Sequence, residues 1–517
     1  MERALGAIRA PFLQSTPHHC AATFPRHLLR EHALNRRQML AALGATTLHP
    51  VIARANDGGP ATAANRRGDI AILRQALALH PGLYRYNSPR QIADRLDRLE
   101  IDFVAAQSLE AQYLLLAHFL ATIRCGHSYA NFFNQKEAVA TALFDRPTRL
   151  PFQFRWIGTD MIVLREPTGV LPPGTTIRRI NGVPAQAILR QLMPYVRADG
   201  HNDAKRISLL EVRGDERLET FDVFHGLLFG EPTGGLHQVD VRTPDGGEKT
   251  VALPATGIAA RRAMMALRAT DKTAALWNWQ MRPDSVAVLT MPSWGVYDSK
   301  WDWRGWLDAR LASLGGAKGL VIDLRDNEGG EDCGDSILAR LATSDLQRID
   351  YAQKLRFRRT PPEIDRYLDT WDSSFRTLGV GGADLPGGFI ARPGESASSR
   401  IAAVAPRLTL PVAALIGPVN SSATFQFAAT AKASGLVRLF GSATGGNQRG
   451  INGGCFFFVR LPACGLEFDL PLVGTFPRAP QPDAGLAPHV AVAASAADIA
   501  AGRDPVLATA IDWAVRA

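Results

Sequence analysis

The chain has 517 residues, 46% hydrophobic and 21% charged, with 46 Gly and 33 Pro. That balance excludes wholesale disorder, collagen and coiled coil, and at about 100–200 residues per domain it implies two to four domains with a sizeable core. A net charge of +9 would point to nucleic acid only if the basic residues clustered on the folded part.

They do not. Residues 1–55 hold seven arginines and two glutamates, five units of the surplus. There Asn35-Arg36-Arg37-Gln38-Met39-Leu40 precedes a weakly apolar run, closed by Ala53-Arg54-Ala55. A basic n-region, a short h-region and an A-x-A site make an export signal, and the paired arginines resemble a twin-arginine signal. Thr46, Thr47, His49 and Pro50 break the run, which is too short and polar to span a bilayer. Membrane contact is therefore expected only through this leader, and a periplasmic location is expected after it. The remaining residues carry no lysine/arginine block, which argues against nucleic-acid binding.

The rest falls into three expected parts: 56–149, 150–255 and 256–517. In the first, Ser88-Pro89-Arg90-Gln91 is a capping box with proline in the first turn. Ile92, Leu96, Leu99 and Phe103 then form one apolar stripe. Ser108 and Glu110 open a second helix, so this part reads as a helical domain. From 150 to 255, alternating runs around 152–164 and 237–253 read as strands, joined by a Thr243-Pro244-Asp245-Gly246 turn in the second. A strand ending in Ile180-Asn181-Gly182-Val183-Pro184 feeds a helix over 185–192. That half resembles the carboxylate-loop-to-helix part of a PDZ-like module.

In 256–517 strands (286–290, 319–324, 412–416, 436–440) alternate with helices (303–314, 423–432), which implies an α/β domain with a largely parallel sheet. Residues 380–400, rich in Gly, Pro and Ser, read as a loop or flap. Four cysteines lie outside the leader: Cys125, Cys333, Cys455 and Cys464. In an oxidising compartment they permit three connectivities; the candidate is a bridge between Cys455 and Cys464 across a strand-turn-strand segment. No Cys/His cluster has zinc-ligand spacing, and no cofactor or metal is implied.

Two segments could carry chemistry. Asn420-Ser421-Ser422-Ala423-Thr424 follows a buried strand and opens a helix, where unpaired N–H groups and the helix dipole suit a nucleophile and an oxyanion. A serine there is more often a plain helix cap. Asp323-Leu324-Arg325-Asp326-Asn327-Glu328-Gly329-Gly330 likewise ends a buried strand, and its paired glycines admit close backbone approach to a ligand.

Together, in this order and with Leu439-Phe440-Gly441-Ser442-Ala443-Thr444-Gly445-Gly446-Asn447 after them, these segments resemble the C-terminal-processing (tail-specific) serine peptidases. The resemblance implies a crotonase-like ββα core, peptide or protein substrates, Ser422 as nucleophile and the N–H groups of Gly330 and Ala423 as oxyanion hole. This chain departs from the pattern at the processing enzymes' lysine, which is Asn447 here, and Phe425 or Gln426 stands where an acidic residue is usual. A serine without a base is a poor nucleophile. Cys125-Gly126-His127-Ser128-Tyr129 resembles the Gly-His motif of the tricorn-like and nisin-resistance-like branch, implying His127 as general base, with an ordinary pKa of about 6.5 that suits the task. Asp483, in a segment that resembles the family's C-terminal motif, is the implied third residue, with Glu467 and Asp469 as alternatives. His118, His225 and His237 read as structural, and Gly230-Glu231-Pro232-Thr233-Gly234-Gly235 as a surface turn. The rival reading is a non-catalytic ligand- or peptide-binding protein on the same fold; an esterase using the same residues is the third.

Overall fold

The computed structural model describes residues 62–517 apart from 215, 265–272, 350 and 395–399. The leader expected over 1–55 lies outside the described residues. No helix among those described is long and apolar enough to cross a membrane.

Three helices, Ala63–Leu77, Pro89–Ala105 and Leu109–Thr122, open the described chain. Ser88 and Gln91 form the reciprocal capping box, and Ile92, Leu96, Leu99 and Phe103 are all buried. Ser108 caps the third helix by accepting from the Ala111 N–H. Local capping chemistry and one apolar stripe thus suffice to fix these elements.

A first antiparallel sheet runs Gln153–Ile157, Asp160–Arg165, Thr176–Ile180, Leu236–Arg242, Glu248–Pro254 in spatial order. Asn181 and Gly182 have φ of 50° and 80°, the two left-handed residues of a tight hairpin turn, and the helix Ala185–Leu192 follows. Arg149 and Thr256 pair as an isolated antiparallel bridge, so the segment between them leaves and returns at one point.

The second sheet has the spatial order Val490–Ala491, Arg438–Gly441, Val412–Ile416, Gly319–Asp323, Val286–Thr290, Asn278–Met281. Its first five strands are parallel and the last is antiparallel. Gly435, left-handed at φ 68°, stops the helix Ser422–Ser434 that links two of the strands.

A third, antiparallel sheet centres on the hairpin Asn452–Arg460/Glu467–Pro477. It corrects two expectations. Residues 380–400 are not wholly loop: Asp384–Leu385 and Phe389–Ala391 form a small hairpin at its edge, turning at Gly387-Gly388 with φ 77° and 72°. The glycines that suggested a loop make the turn. Cys455 and Cys464 are free thiols. Cys455 sits in the bulge between Gly453 and Phe456, whereas Cys464 sits in the end turn beyond Arg460. Five strand residues separate them, about 16 Å at ~3.3 Å per residue, far beyond the ~4.4–6.8 Å that a disulfide spans.

One apolar core joins the N-terminal helices, the first sheet and the third sheet; a second lies between the parallel sheet and its helices. The third sheet, though drawn from 351–477, therefore packs with the amino-terminal half. That brings the turn after the helix Leu109–Thr122 next to the parallel sheet's edge.

Candidate active site

The strands Gly319–Asp323 and Val412–Ile416 are parallel neighbours, so the loops after them emerge at one carboxyl edge, where open α/β sheets bind ligands. Asn420 rivets the loops together. Its Oδ1 accepts from the Gly417 N–H (2.7 Å), and its Nδ2 donates to the carbonyls of Leu324 and Asn327. Asn327 Oδ1 accepts from the Gly329 N–H (2.9 Å) and Thr424 Oγ1 (2.8 Å). Asn327, Asn420 and Thr424 are fully buried, so these contacts are worth most where water cannot compete.

The result sets Ser422 directly against the glycine pair: a Cβ added at Gly329 would lie 2.8 Å from Ser422 Cβ. Ser422 has φ 49°, a left-handed value that strains a side-chain-bearing residue by about 1–3 kcal/mol, and it is only half-buried. Ser421 is fully buried and its hydroxyl donates to Asp199 Oδ2 at 3.3 Å. Of the two serines, Ser422 is the one presented. Gly329 and Gly330 have φ of 125° and 134°. Trp294 holds this loop by donating its N–H to the Gly329 carbonyl and accepting from the Glu331 N–H. The N–H groups of Gly330 and Ala423 have no acceptor among the described residues.

His127 lies beyond Arg124, another left-handed residue at φ 60°. Its ring sits 5.9 Å from that of Phe456, and its Nδ1 is buried without a hydrogen-bond partner. Burial lowers its pKa to about 4; Asp199 and Glu328 oppose this, while Lys205 and Arg197 add to it. The imidazole is therefore uncharged at neutral pH, the protonation state from which a general base acts.

Four charged residues around it escaped the sequence reading. Asp199, 1% exposed, accepts from the Gly126 N–H at 2.8 Å as well as from Ser421, so one carboxylate holds both the histidine turn and the serine turn. Arg197 donates to the Gly126 carbonyl (2.7 Å) and, twice, to Glu328. Lys205, fully buried, pairs with Glu328 at 2.9 Å. These two cations hold the Glu328 carboxyl well below the usual range against the opposing effect of burial. Only Glu328 stood in a quoted motif; Arg197, Asp199 and Lys205 lie in irregular chain and a short helix whose local pattern signals no chemistry.

Asp483 does not hydrogen-bond His127. Its carboxylate takes His201 Nδ1, the His201 N–H and, at 2.7 Å, Asn447 Nδ2. Asn447, fully buried, also donates to the Asp199 carbonyl (3.3 Å) and accepts from the Arg449 N–H (2.9 Å). Asp469 is engaged by Asn131 and Asn134. No group of His, Cys, Asp and Glu that could hold a metal occurs among the described residues. His225 is stacked between Phe221 and Phe229, and His118 packs on Tyr195.

Residues 285–453 match the model of Peptidase family S41. The chain carries an S41 peptidase domain. It is thereby a hydrolase of the serine-peptidase class. The S41 match contains Gly329, Gly330, Ser422 and Asn447; His127 and Asp483 lie outside it. No curated protein matches the sequence significantly. Among solved structures, mature CPAF complexed with lactacystin is 15% identical, with 88% of this chain and 98% of that chain covered and a TM-score of 0.58. Mature CPAF alone is 15% identical over 85% and 94% of the chains, with a TM-score of 0.55. The photosystem II D1 C-terminal processing protease is 12% identical over 83% and 93%, with a TM-score of 0.36. The CPAF likeness is one of fold, and it extends the similarity well beyond the S41 segment into the amino-terminal half.

Proposed function

We propose that this protein is an exported peptidase that cleaves peptide bonds through an acyl-enzyme. The parallel-sheet region serves as a crotonase-like ββα core, residues 56–149 bring the base, and 150–255 act as a PDZ-like module for peptide capture. The observation that carries the reading is Ser422, strained to φ 49° at a helix N-terminus and seated against Gly329-Gly330.

Ser422 Oγ attacks the scissile carbonyl while its proton passes to His127. The carbonyl oxygen becomes an oxyanion facing the Gly330 and Ala423 N–H groups, each worth roughly 2.7–4 kcal/mol to the transition state. The C–N bond then breaks, and the leaving amine takes the proton from His127. Water repeats the sequence in reverse and releases the acid. Asp199 holds the two turns in register, and Asp483 acts at one remove, through Asn447. The resting structure has no hydrogen bond between Ser422 and His127 among the described residues; such contacts often tighten only with substrate.

A fluorophosphonate probe should label the wild type and not Ser422→Ala. Turnover of an unstructured peptide should fall by on the order of 10³-fold or more in Ser422→Ala and His127→Ala. Wild-type turnover in both variants overturns the mechanism, and an unlabelled wild type that still binds peptide establishes the rival, a binding protein.

A further inference from the structure

One apolar surface next to the site has no role in the mechanism above. Along the strand Asn452–Arg460, Phe457 and Val459 point into the core and are fully buried, so Phe456 and Phe458 face outward and stay half-exposed. Trp371 completes this face, 39% exposed, with its ring 5.8 Å from Phe456 and 5.7 Å from Phe458. Phe375 supports Trp371 edge-on at 5.3 Å. The shelf begins at the base, since the Phe456 ring is 5.9 Å from that of His127.

The rest of the same face is roofed. Across the hairpin, Asp469 stands opposite Phe458; there Asn131 and Asn134 cover it, and the Asp469 N–H donates to the Tyr129 carbonyl. The segment after His127 thus covers one strand of the hairpin and leaves the aromatic strand bare. At the start of that strand stands Gly454, exposed, where an added Cβ would meet nothing within 4 Å. Core packing does not require three outward aromatic rings beside an open glycine.

We infer that Phe456, Phe458 and Trp371 form the subsite for an apolar side chain on the leaving-group side of the scissile bond. This rests on the peptidase reading. The group that protonates the leaving amine stands on that amine's side of the bond, so a shelf running outward from His127 meets the residues that follow the cut. Phe456 and Phe458 are two residues apart, about 6.6 Å along the strand, the length of two extended peptide residues. The shelf therefore serves roughly the first three residues after the cut. Its three rings carry no charge, which selects a large apolar or aromatic side chain and rejects an acidic one, whose desolvation nothing there would offset.

The test uses peptides identical up to the scissile bond and carrying Phe, Leu, Ser or Asp at each of the next three positions. At one of these positions the wild type should prefer Phe or Leu over Ser and Asp by about tenfold or more in kcat/KM, the scale of one well-filled apolar pocket. Trp371→Ala and Phe458→Ala should compress that ratio towards one, lowering kcat/KM for the Phe and Leu peptides far more than for the Ser peptide. A wild type indifferent to all three positions, or a ratio that survives both variants, overturns the subsite. A parallel arm keeps the two readings apart: Ser422→Ala protein is titrated with the same peptides, with tryptophan fluorescence as readout. If the wild type cleaves nothing, the peptidase reading has failed. The subsite then stands if Phe-bearing peptides bind about tenfold tighter than Ser-bearing ones and Trp371→Ala removes the difference, and falls if they do not.

Discussion

Arg197 and Glu328 are joined by two hydrogen bonds, of 2.7 and 3.0 Å. The same guanidinium donates to the carbonyl of Gly126, so one side chain ties the residue before His127 to the residue before Gly329. The proposed base and oxyanion loop come from distant stretches of chain, and this pair joins them. A part-buried ion pair of this kind adds little net stability, because desolvation offsets much of the attraction, so its three directed hydrogen bonds matter chiefly for geometry.

Replacing Arg197 by Met should therefore cost catalysis more than binding. A misplacement of about 1 Å in such a site costs on the order of 10²-fold in rate. The expected outcome is a kcat lower by about that factor with KM little changed, and partial rescue by Arg197→Lys, which keeps the charge and loses the bidentate fork. Steady-state kinetics of both variants check this. Equal loss in the two would mean that the bidentate fork alone matters, and full rescue by lysine that the charge suffices.

The position of the acid limb of activity follows from the same cluster. Burial sets the His127 pKa to about 4, with Lys205 among the causes that lower it and Asp199 among those that raise it. The limb of kcat/KM should lie near pH 4 rather than near the ordinary ~6.5 of imidazole. Lys205→Met removes a positive neighbour, which favours the imidazolium and moves the limb to higher pH. Asp199→Asn removes a negative one and moves it lower. Shifts in the opposite sense, or none, would remove His127 as the titrating base.

Asn447 occupies the position that the processing peptidases give to lysine, and here it is a connector. It links Asp483, the Asp199 backbone and Arg449. Asn447→Ala should lower stability by about 1–3 kcal/mol by leaving buried partners unpaired, seen in a denaturant titration. The shape of the pH–rate profile should stay as in the wild type, since no titrating group is lost.

How much of this was legible beforehand divides by the range of the interaction. The capping box at Ser88, the Asn181-Gly182 turn and the alternating burial of the strands Gln153–Ile157 and Leu236–Arg242 are set by residues a few positions apart, and each stood in the sequence. Ser422 and Gly329-Gly330 were legible because a motif named them. Asp199 was not. It matters because folding brings Gly126 and Ser421 to its two oxygens, contacts 73 and 222 residues distant, and no local pattern distinguishes it from a surface aspartate. The Cys455–Cys464 bridge failed for a related reason: the two cysteines bracket a strand-turn-strand segment, but the turn begins after Arg460 and holds Cys464 at the hairpin's end, away from Cys455.

Gly330 offers a steric prediction. Its φ of 134° lies where side-chain-bearing residues are strained, and an added Cβ would fall 2.2 Å from the Trp294 carbonyl carbon and oxygen. Gly330→Ala must displace the backbone that carries the proposed oxyanion donor. Labelling by the fluorophosphonate probe should slow by at least about tenfold, even in preparations whose circular dichroism matches the wild type. Unchanged labelling would remove Gly330 from the oxyanion hole.

His225 gives a test of stability separate from catalysis. It is stacked on Phe221 and Phe229, each ring 5.0 Å away, and burial, with a smaller contribution from His237, lowers its pKa to about 3. In the unfolded chain it titrates near 6.5. Below that value the unfolded state binds a proton that the folded state refuses, so the stability present above pH 6.5 drains away as the pH falls. The loss is about 1.4 kcal/mol per pH unit, roughly 2 kcal/mol by pH 5. Raised carboxylates act in the opposite direction: Asp335, raised to about 7, and Asp469, raised to about 6, each by burial, bind protons in the folded state first and offset part of the wild-type slope. A comparison between variants isolates the histidine. His225→Phe cannot titrate, and the cost or gain of packing the larger ring is the same at every pH. Its stability relative to wild type, from urea midpoints at pH 7.5 and pH 5, should therefore improve by roughly 2 kcal/mol at the lower pH. A constant difference would mean that His225 takes up its proton in the folded protein as readily as in the unfolded chain, and that the aromatic stack does not exclude water.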